Sequence, residues 1–589
     1  MRATETRPRI GVFFCACHGE VSSGLDMVAL RQYAAELPDV AKTGGCEALC
    51  TAEGQKSIEN AVKEHKLDRI VVAGCTPRVF EDIVGRALVA SGLNRYMLEM
   101  ANLREQCVWP HRDKKRATEK AKLMLAAAVA RASLLEPLHG GRLGMKRAAL
   151  VIGGGVAGMQ AARDIADAGN DVVLVEATGK LGGRTYQLST TFPTHECKPD
   201  GCCIHYCREC ILTPKIEDVM QHPKINVMLN SKLEEFGGVF GNYHAKIKSP
   251  EGVVDIEAGT VVVATGSRTI DPTKLPEFGY GRFKDVITFL ELEEMIVAAR
   301  SGDNQLHRPS DGKVPGTIDF IQCVGSRDST GRGKAHCSLV CCTYAIGQAK
   351  ELKKRYPGAR IFVHYIDLRG PYRGFEEHYR EAREMGIEFV RGRVAEVLCE
   401  KDGMVVVGED IDSGKLLKIR SDLVVLAVGQ EAAEGTDRLS TIFHIPLDTD
   451  GFLREYNPAF DMLRRKGIAV AGCAAGPKGI RYSVQDARAA AAALNEIMRS
   501  GEVAVPDVKA EVDEARCSGC RQCETLCPTG AISMRQLPDF RRMTRRWVAY
   551  VTPSQCASCG ACAMACPSKA ILLSNYKMKQ LMAQIEALM

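Results

Sequence analysis

Two stretches near the C-terminus restrict the fold more than anything else in the chain: CSGCRQCETLCP (517–528) and CASCGACAMACP (556–567). Each has the spacing C-x2-C-x2-C-x3-C-P, which wraps three thiolates round one 4Fe–4S cube while the proline turns the fourth cysteine toward a second cube. Both copies run on into a short apolar segment, AISM and AILL. Cys517, Cys520, Cys523 and Cys566 are therefore expected on one cluster, and Cys556, Cys559, Cys562 and Cys527 on its neighbour. A structural zinc site takes four ligands as one set and does not account for interleaved triples.

The chain has 589 residues, room for three or four domains, and 25 of those residues are cysteine. No apolar run reaches the roughly 18–20 residues of a membrane span. The opening MRATETRPRIGVFFCACHGE has only a brief apolar segment that runs into cysteine and histidine, so no secretory leader is expected and a cytoplasmic location is. In that reducing compartment clustered thiols read as metal ligands or catalytic groups, not as disulfides. A net charge of +6, spread along the chain, gives no reason to invoke nucleic acid. RDKKRATEKAK (112–122) reads as a solvated helix face, and RRMTRRW (541–547) as either a plain surface hairpin or a dock for an acidic protein.

Residues 1–138 alternate short apolar runs (IGVFFC at 10–15, RIVVAGC at 69–75, RYMLEM at 95–100) with helical patterns, which predicts a small α/β domain with a parallel sheet. Cys15, Cys17, Cys46, Cys50, Cys75 and Cys107 fall at strand ends or in the loops that follow. Ligands gather beyond the carboxyl ends of such strands, so four of these thiols can meet round one metal centre; buried, inert cysteines are the alternative.

After the linker EPLHGGRLGMKR (136–147), AALVIGGGVAGMQAARDIADAGNDVVLVEA (148–177) reads as strand, glycine turn, helix and strand. Gly153, Gly155 and Gly158 give G-x-G-x-x-G, with Val156 and Ala157 opening the helix and Glu176 ending the second strand, the pattern of a dinucleotide site. Three further segments favour FAD: KLGGR with Gly182, Gly183 and Arg184; TVVVATGSR with Ala264, Thr265 and Gly266; and GIAVAGCAAGPKGIRYSVQDARAAAAAL (467–494) with Gly472, Cys473, Gly479 and Ile480. Such flavoproteins often carry Asp near Cys473, so this position departs from the pattern. The FAD-binding domain is assigned to 146–285 and 431–500. Residues 286–430 read as a second dinucleotide domain, with GTIDFIQCVGSRD (316–328) as its first strand and LVVLAVGQ (423–430) as its return. Its glycine fingerprint is missing; Cys323, Cys337, Cys341 and Cys342 stand there instead, so nicotinamide binding is not expected. The two-cluster domain spans 508–575.

Taken together these residues resemble the A-type subunit family of the heterodisulfide reductases. The resemblance runs along VFFCACHG, ALCTAEGQ, VVAGCTPR, EMANLREQCVWPH, GGRTYQLSTTFPT, CRECILTPK and YIDLRGPYRGFEEHYREAREMGIEFVRGR, nearly the whole chain. It implies a multidomain α/β protein with a thioredoxin-reductase-like, two-dinucleotide-domain flavoprotein core, an N-terminal α/β domain and a C-terminal bacterial two-cluster ferredoxin domain. It also implies a 4Fe–4S cluster on Cys15 or Cys17 with Cys50, Cys75 and Cys107, and another on Cys323, Cys337, Cys341 and Cys342.

Three departures are visible. Residues 215–260 contain no cysteine, so the ferredoxin-like insertion of many relatives is absent. Cys197, Cys202 and Cys203 are added before the usual Cys207 and Cys210; these five read either as a further cluster or as free or zinc-bound thiols. Gly347 stands where the family usually has lysine beside the flavin, with Lys350 nearly a turn later.

The function expected from this reading is electron transfer, with bifurcation as a possible refinement, between FAD and partner redox subunits of a multimeric heterodisulfide-reductase-like complex. Ferredoxin and a hydrogenase or formate dehydrogenase module are the partners it implies. The rivals are a self-contained flavin disulfide reductase, using Cys207 with Cys210 or Cys341 with Cys342, and a passive cluster wire.

Overall fold

The computed structural model describes residues 7–189, 191, 211–301, 305–400, 403–454, 467–539 and 544–589. Cys197, Cys202, Cys203, Cys207 and Cys210 lie outside the described residues, as do Arg541 and Arg542. The chain divides into two compact units, 1–142 with 504–589, and 143–503.

In the first unit, strands Ile10–Cys15, Val40–Cys46, Arg69–Gly74 and Leu98–Asn102 form a parallel sheet with the second strand at one edge, then the first, third and fourth. The central runs IGVFFC and RIVVAG are apolar, Arg69 at the start of the second apart, because both their faces are covered. Ile10, Val12, Phe14 and Val71 pack toward Leu125 and Val129 of helix Lys114–Ala132. Phe13, Ile70 and Val72 pack toward Ile58 and Val62 of helix Ala52–His65. Thr51 starts that helix by accepting the Gly54 amide at 3.2 Å.

The C-terminal part of this unit pairs Ile532–Asp539 with Thr544–Val551 and Ala510–Val512 with Ile571–Leu573, both antiparallel. It ends in helix Met578–Glu586, which lies against helix Lys114–Ala132. Gln580 donates to the Leu134 carbonyl at 2.8 Å, and Lys577 pairs with Glu136 at 2.5 Å.

The second unit builds one architecture twice. Its first sheet is parallel, in the order Ile468–Val470, Thr260–Val263, Ala148–Ile152, Asp171–Val175, Ile225–Met228. Its second is also parallel, in the order Val286–Thr288, Leu423–Val428, Thr317–Val324, Arg360–Tyr365, Glu388–Arg391. Each is accompanied by a three-stranded antiparallel sheet, 232–258 and 394–421. The chain crosses between the two domains at Ser267–Thr269 and Gln430–Ala432, which pair antiparallel. Among the described residues no helix is long and apolar enough to cross a membrane.

Candidate functional site: a dinucleotide cavity and four thiol pockets

Strand Ala148–Ile152 delivers the glycine turn. Gly153 has φ +105°, and a Cβ there would lie 2.4 Å from the Ala264 carbonyl oxygen. Gly158 packs so closely that a Cβ would stand 1.8 Å from the Gly153 oxygen. Gly155 differs from both: nothing lies within 4 Å of its Cβ direction, so its face is open. Glu176 is held in place by accepting hydrogen bonds from the Gly154 amide at 2.7 Å and the Thr178 amide at 2.8 Å.

These residues open onto a cavity of about 570 Å³, within the range of small-molecule and cofactor sites. Its walls include Gly153, Gly155, Val156, Ala157, Glu176, Gly182, Gly183, Arg184, Ala264, Thr265, Gly266, Cys473, Gly479 and Ile480. Gly158 and Gly472, the other two residues expected there, lie behind the wall as close-packing positions: a Cβ on Gly472 would meet Ala157 Cβ at 2.8 Å. Helix Ile480–Arg499 begins at this wall, which favours negative charge in the cavity.

The wall is built for a polar, anionic guest. Arg184 Nη2 donates to the Ser267 carbonyl at 2.7 Å, but Arg184 Nη1, Thr265 Oγ1 and Thr343 Oγ1 are buried with no protein partner. Such orphans cost about 1–3 kcal/mol each when left unpaired, and a bound dinucleotide supplies acceptors for them. Burial lowers the Arg184 pKa. Lys350 does not replace the lysine expected at 347: it is absent from the wall and pairs with Glu381 at 2.5 Å. Arg184, half-buried, is thus a cation of this wall. Cys473 Sγ donates to the Lys478 carbonyl at 3.2 Å, inside its own loop.

The resemblance places Gly347 beside the flavin, but sequence reasoning missed the rest of the far end of the cavity, Phe289, Glu293, Thr343, Tyr344 and Gln430. Glu293, 1% exposed, accepts from the Ser189 amide and from Gln348 Nε2, each at 2.7 Å. The available signal was the helix that follows the Cys-Cys pair. Helix Cys341–Arg355 turns Thr343, Tyr344 and Gly347 toward the cavity and Cys341 and Cys342 toward a separate pocket.

That pocket is lined by all four cysteines 323, 337, 341 and 342, with Arg327 and Asp367 paired beside them. Strand Thr317–Val324 breaks register between Ile321 and Val324, and Cys323 adopts φ +60° where the glycine turn would otherwise begin. Burial raises the thiol pKa of Cys341, and that of Cys342 to about 11; iron ligation would have to supply the charge that makes them thiolates.

The two ferredoxin-type runs form two pockets with the fourth cysteine exchanged. One holds Cys517, Cys520, Cys523 and Cys566; the other holds Cys527, Cys556, Cys559 and Cys562. The halves repeat in detail: the Ala531 amide donates to Cys527 Sγ and the Ala570 amide to Cys566 Sγ, both at 3.2 Å. Amide-to-sulfur bonds of this kind help set cluster potential.

In the N-terminal sheet Cys15, Cys17, Cys50 and Cys75 line one cavity of about 420 Å³ together with His18, Glu20 and Arg104. The one proton of the Cys17 thiol is shared between Cys15 (Sγ–Sγ 3.4 Å) and Cys75, which holds Cys15 down at about 6, lowers Cys75 and keeps Cys17 protonated. Both members of the 15/17 pair thus belong to the group. Cys107, expected as a ligand, does not. The π-helical turn Arg104–Val108 sends Arg104 to the cavity and Cys107 into the opposite core, with its Sγ 3.3 Å from Met124 Sδ. Cys107→Ala should therefore leave the iron content unchanged, whereas Cys75→Ser should lose about four iron atoms per chain; iron assay of the two purified variants decides. Among the described residues no three His, Cys, Asp or Glu converge to chelate a single ion. The thiols stand round pocket walls instead.

Comparison with known proteins agrees with these two kinds of site. Residues 509–570 match the family of the 4Fe-4S dicluster domain, and residues 147–296 match the family of pyridine nucleotide-disulphide oxidoreductases. The chain is 37% identical to the A-type subunit of the H(2):CoB-CoM heterodisulfide,ferredoxin reductase of Methanothermobacter thermautotrophicus, over 90% of this chain and 92% of that protein. It belongs to the family of heterodisulfide reductase A-type subunits.

A second member, the A-type subunit of the Ferredoxin/F(420)H(2)-dependent CoB-CoM heterodisulfide reductase of Methanosarcina acetivorans, is 32% identical over 89% of this chain and 75% of its own length. Among solved structures, T. acidophilum thioredoxin reductase is similar with a TM-score of 0.40 and 15% identity, over 60% of this chain and all of that one. This member of the heterodisulfide reductase family is an oxidoreductase that uses FAD and 4Fe–4S clusters. It has a two-dinucleotide-domain flavoprotein core and a C-terminal ferredoxin domain.

Proposed function

We propose that the chain is the flavin and iron–sulfur electron-transfer subunit of a cytoplasmic heterodisulfide-reductase-like complex, moving electrons between its FAD and partner redox subunits or ferredoxin. One observation carries this reading: a single turn at the start of helix Cys341–Arg355 lines the thiol pocket with Cys341 and Cys342 and the flavin cavity with Thr343 and Tyr344. A flavin and a cube held from one turn need no nicotinamide between them, and Cys323 occupies the place of the lost glycine fingerprint.

FAD, when bound, supplies the exchange between paired and single electrons. The protein's part is to hold it. The open face of Gly155 and the N-terminus of helix Ile480–Arg499 receive the pyrophosphate, Glu176 the ribose, and Arg184, Thr265 and Thr343 the remaining acceptors. Four 4Fe–4S sites are proposed among the described residues: Cys15, Cys17, Cys50 and Cys75; Cys323, Cys337, Cys341 and Cys342; and the two exchanged sets of the ferredoxin domain. The names of the relatives, which include ferredoxin, support that protein as a partner. Since Gly347 replaces the lysine usual in the family, the reading is electron transfer through the flavin rather than splitting of the electron pair.

A self-contained disulfide reductase needs an exposed thiolate of low pKa. Of its two pairs, Cys207 with Cys210 lies outside the described residues, whereas Cys341 and Cys342 are 6% exposed, and burial raises both thiols. The test is Cys342→Ser. It should retain FAD, lose about four iron atoms per chain, and stop electrons from passing between photoreduced flavin and the other clusters. Unimpaired passage would overturn the reading.

A further inference from the structure

Behind the flavin cavity, two packed helices bury titratable groups that folding alone does not call for. Gly347 of helix Cys341–Arg355 lines the cavity, and a Cβ built on it would stand 4.0 Å from His378 Nε2. His378, on helix Phe375–Glu384, is 1% exposed. Its Nδ1 lies 3.3 Å from Lys350 Nζ. Lys350, 4% exposed, pairs with Glu381 at 2.5 Å, and the Glu381 side chain is 47% exposed. The order from inside to outside is cavity wall, imidazole, ammonium, carboxylate, solvent.

Each step of this series is costly as packing. The surrounding core is apolar, with Ile346, Ala349, Phe375 and Ala382. Burying an ammonium there is unfavourable even when it is paired, and apolar residues of similar volume often serve as well or better. Glycine within a helix costs about 1 kcal/mol relative to alanine. These costs share one explanation if the series has work to do at the cavity.

We propose that Glu381, Lys350 and His378 form a proton path from solvent to the flavin site at Gly347. The proposal rests on FAD occupying the cavity. Electrons reach the flavin from the iron–sulfur centres, which are oxidised as it is reduced, and protons must follow to balance the charge. His378 releases the Nε2 proton across the gap left by the absent Gly347 side chain, by way of water, and takes one at Nδ1 from Lys350. Glu381 passes a solvent proton to Lys350 in turn. After one transfer and turnover of the ring the three groups regain their starting charge, so the net change is one solvent proton consumed. An imidazole suits the middle of such a path because its two nitrogens accept and donate on opposite sides. These are positioning and relay groups; none of the three lines the cavity itself.

The test uses the intact holoprotein and three variants: His378→Phe, Lys350→Met, and Glu381→Gln, whose half-exposed site leaves the packing alone. Flavin absorbance and iron content are measured first, which separates loss of cofactor from loss of the path. Flavin reduction by reduced methyl viologen, a one-electron donor that releases no proton, is then followed by stopped flow, with proton uptake read by a pH dye. The expected result is proton uptake that lags flavin bleaching, slowed about 10²-fold in His378→Phe and less in Glu381→Gln, with a larger solvent isotope effect. Proton uptake in step with bleaching at the wild-type rate, in both His378→Phe and Glu381→Gln, would overturn the proposal.

Discussion

Cys566→Ser should destroy the cluster of the first cysteine run, not that of the second in which it lies. Its Sγ stands in the pocket of Cys517, Cys520 and Cys523, while Cys556, Cys559 and Cys562 are completed by Cys527. The variant is expected to lose about four iron atoms per chain, and its reduced EPR spectrum should match that of Cys520→Ser and differ from that of Cys559→Ser. Serine can still accept the Ala570 amide that Cys566 Sγ accepts at 3.2 Å, so the loop has a means of keeping its shape. A spectrum matching Cys559→Ser would mean that each run fills its own cube.

Gly155→Asp should abolish flavin binding without unfolding the chain. Gly155 has φ −75° and ψ −178°, a conformation open to any residue, and nothing lies within 4 Å of its Cβ direction. The substitution therefore acts on the guest and not on the fold. A carboxylate facing a pyrophosphate costs several kcal/mol; at about 5.5 kcal/mol, FAD affinity falls roughly 10⁴-fold. The purified variant should lack flavin absorbance, keep its iron, and lose ferredoxin-dependent activity. A passive wire would lose the flavin and keep the activity.

Much of this site was legible because its chemistry depends on spacing. The interleaving of the two cysteine runs follows from their identical intervals and the terminal proline, and the pockets at 517–528 and 556–567 bring the same residues together. The open loop at Gly155, the close packing at Gly158 and the acid at Glu176 come from one short βαβ segment, where local sequence decides geometry. Residues 467–494 could be joined to that segment only through likeness to other flavoproteins, since 290 or so residues separate them.

What sequence did not show depends on which way a helix faces. Thr343 and Tyr344 reach the cavity because helix Cys341–Arg355 lies across the second sheet in one particular rotation. Cys107 reads as one more thiol after a strand, yet a π-helical turn carries it into the core beside Met124. Lys350, three residues after Gly347, has no direction that the sequence alone fixes; it turns to Glu381 and His378. In each case tertiary packing chose between side-chain directions that the local sequence left equal.

The most direct measurement is the content of iron, acid-labile sulfide and FAD in chain purified without oxygen. Four cubes and one flavin predict about sixteen iron atoms and sixteen sulfides per chain with one FAD, and more iron only if the five cysteines between 197 and 210 hold a further cluster. About eight iron atoms, with zinc or nothing at the remaining thiols, would contradict the account.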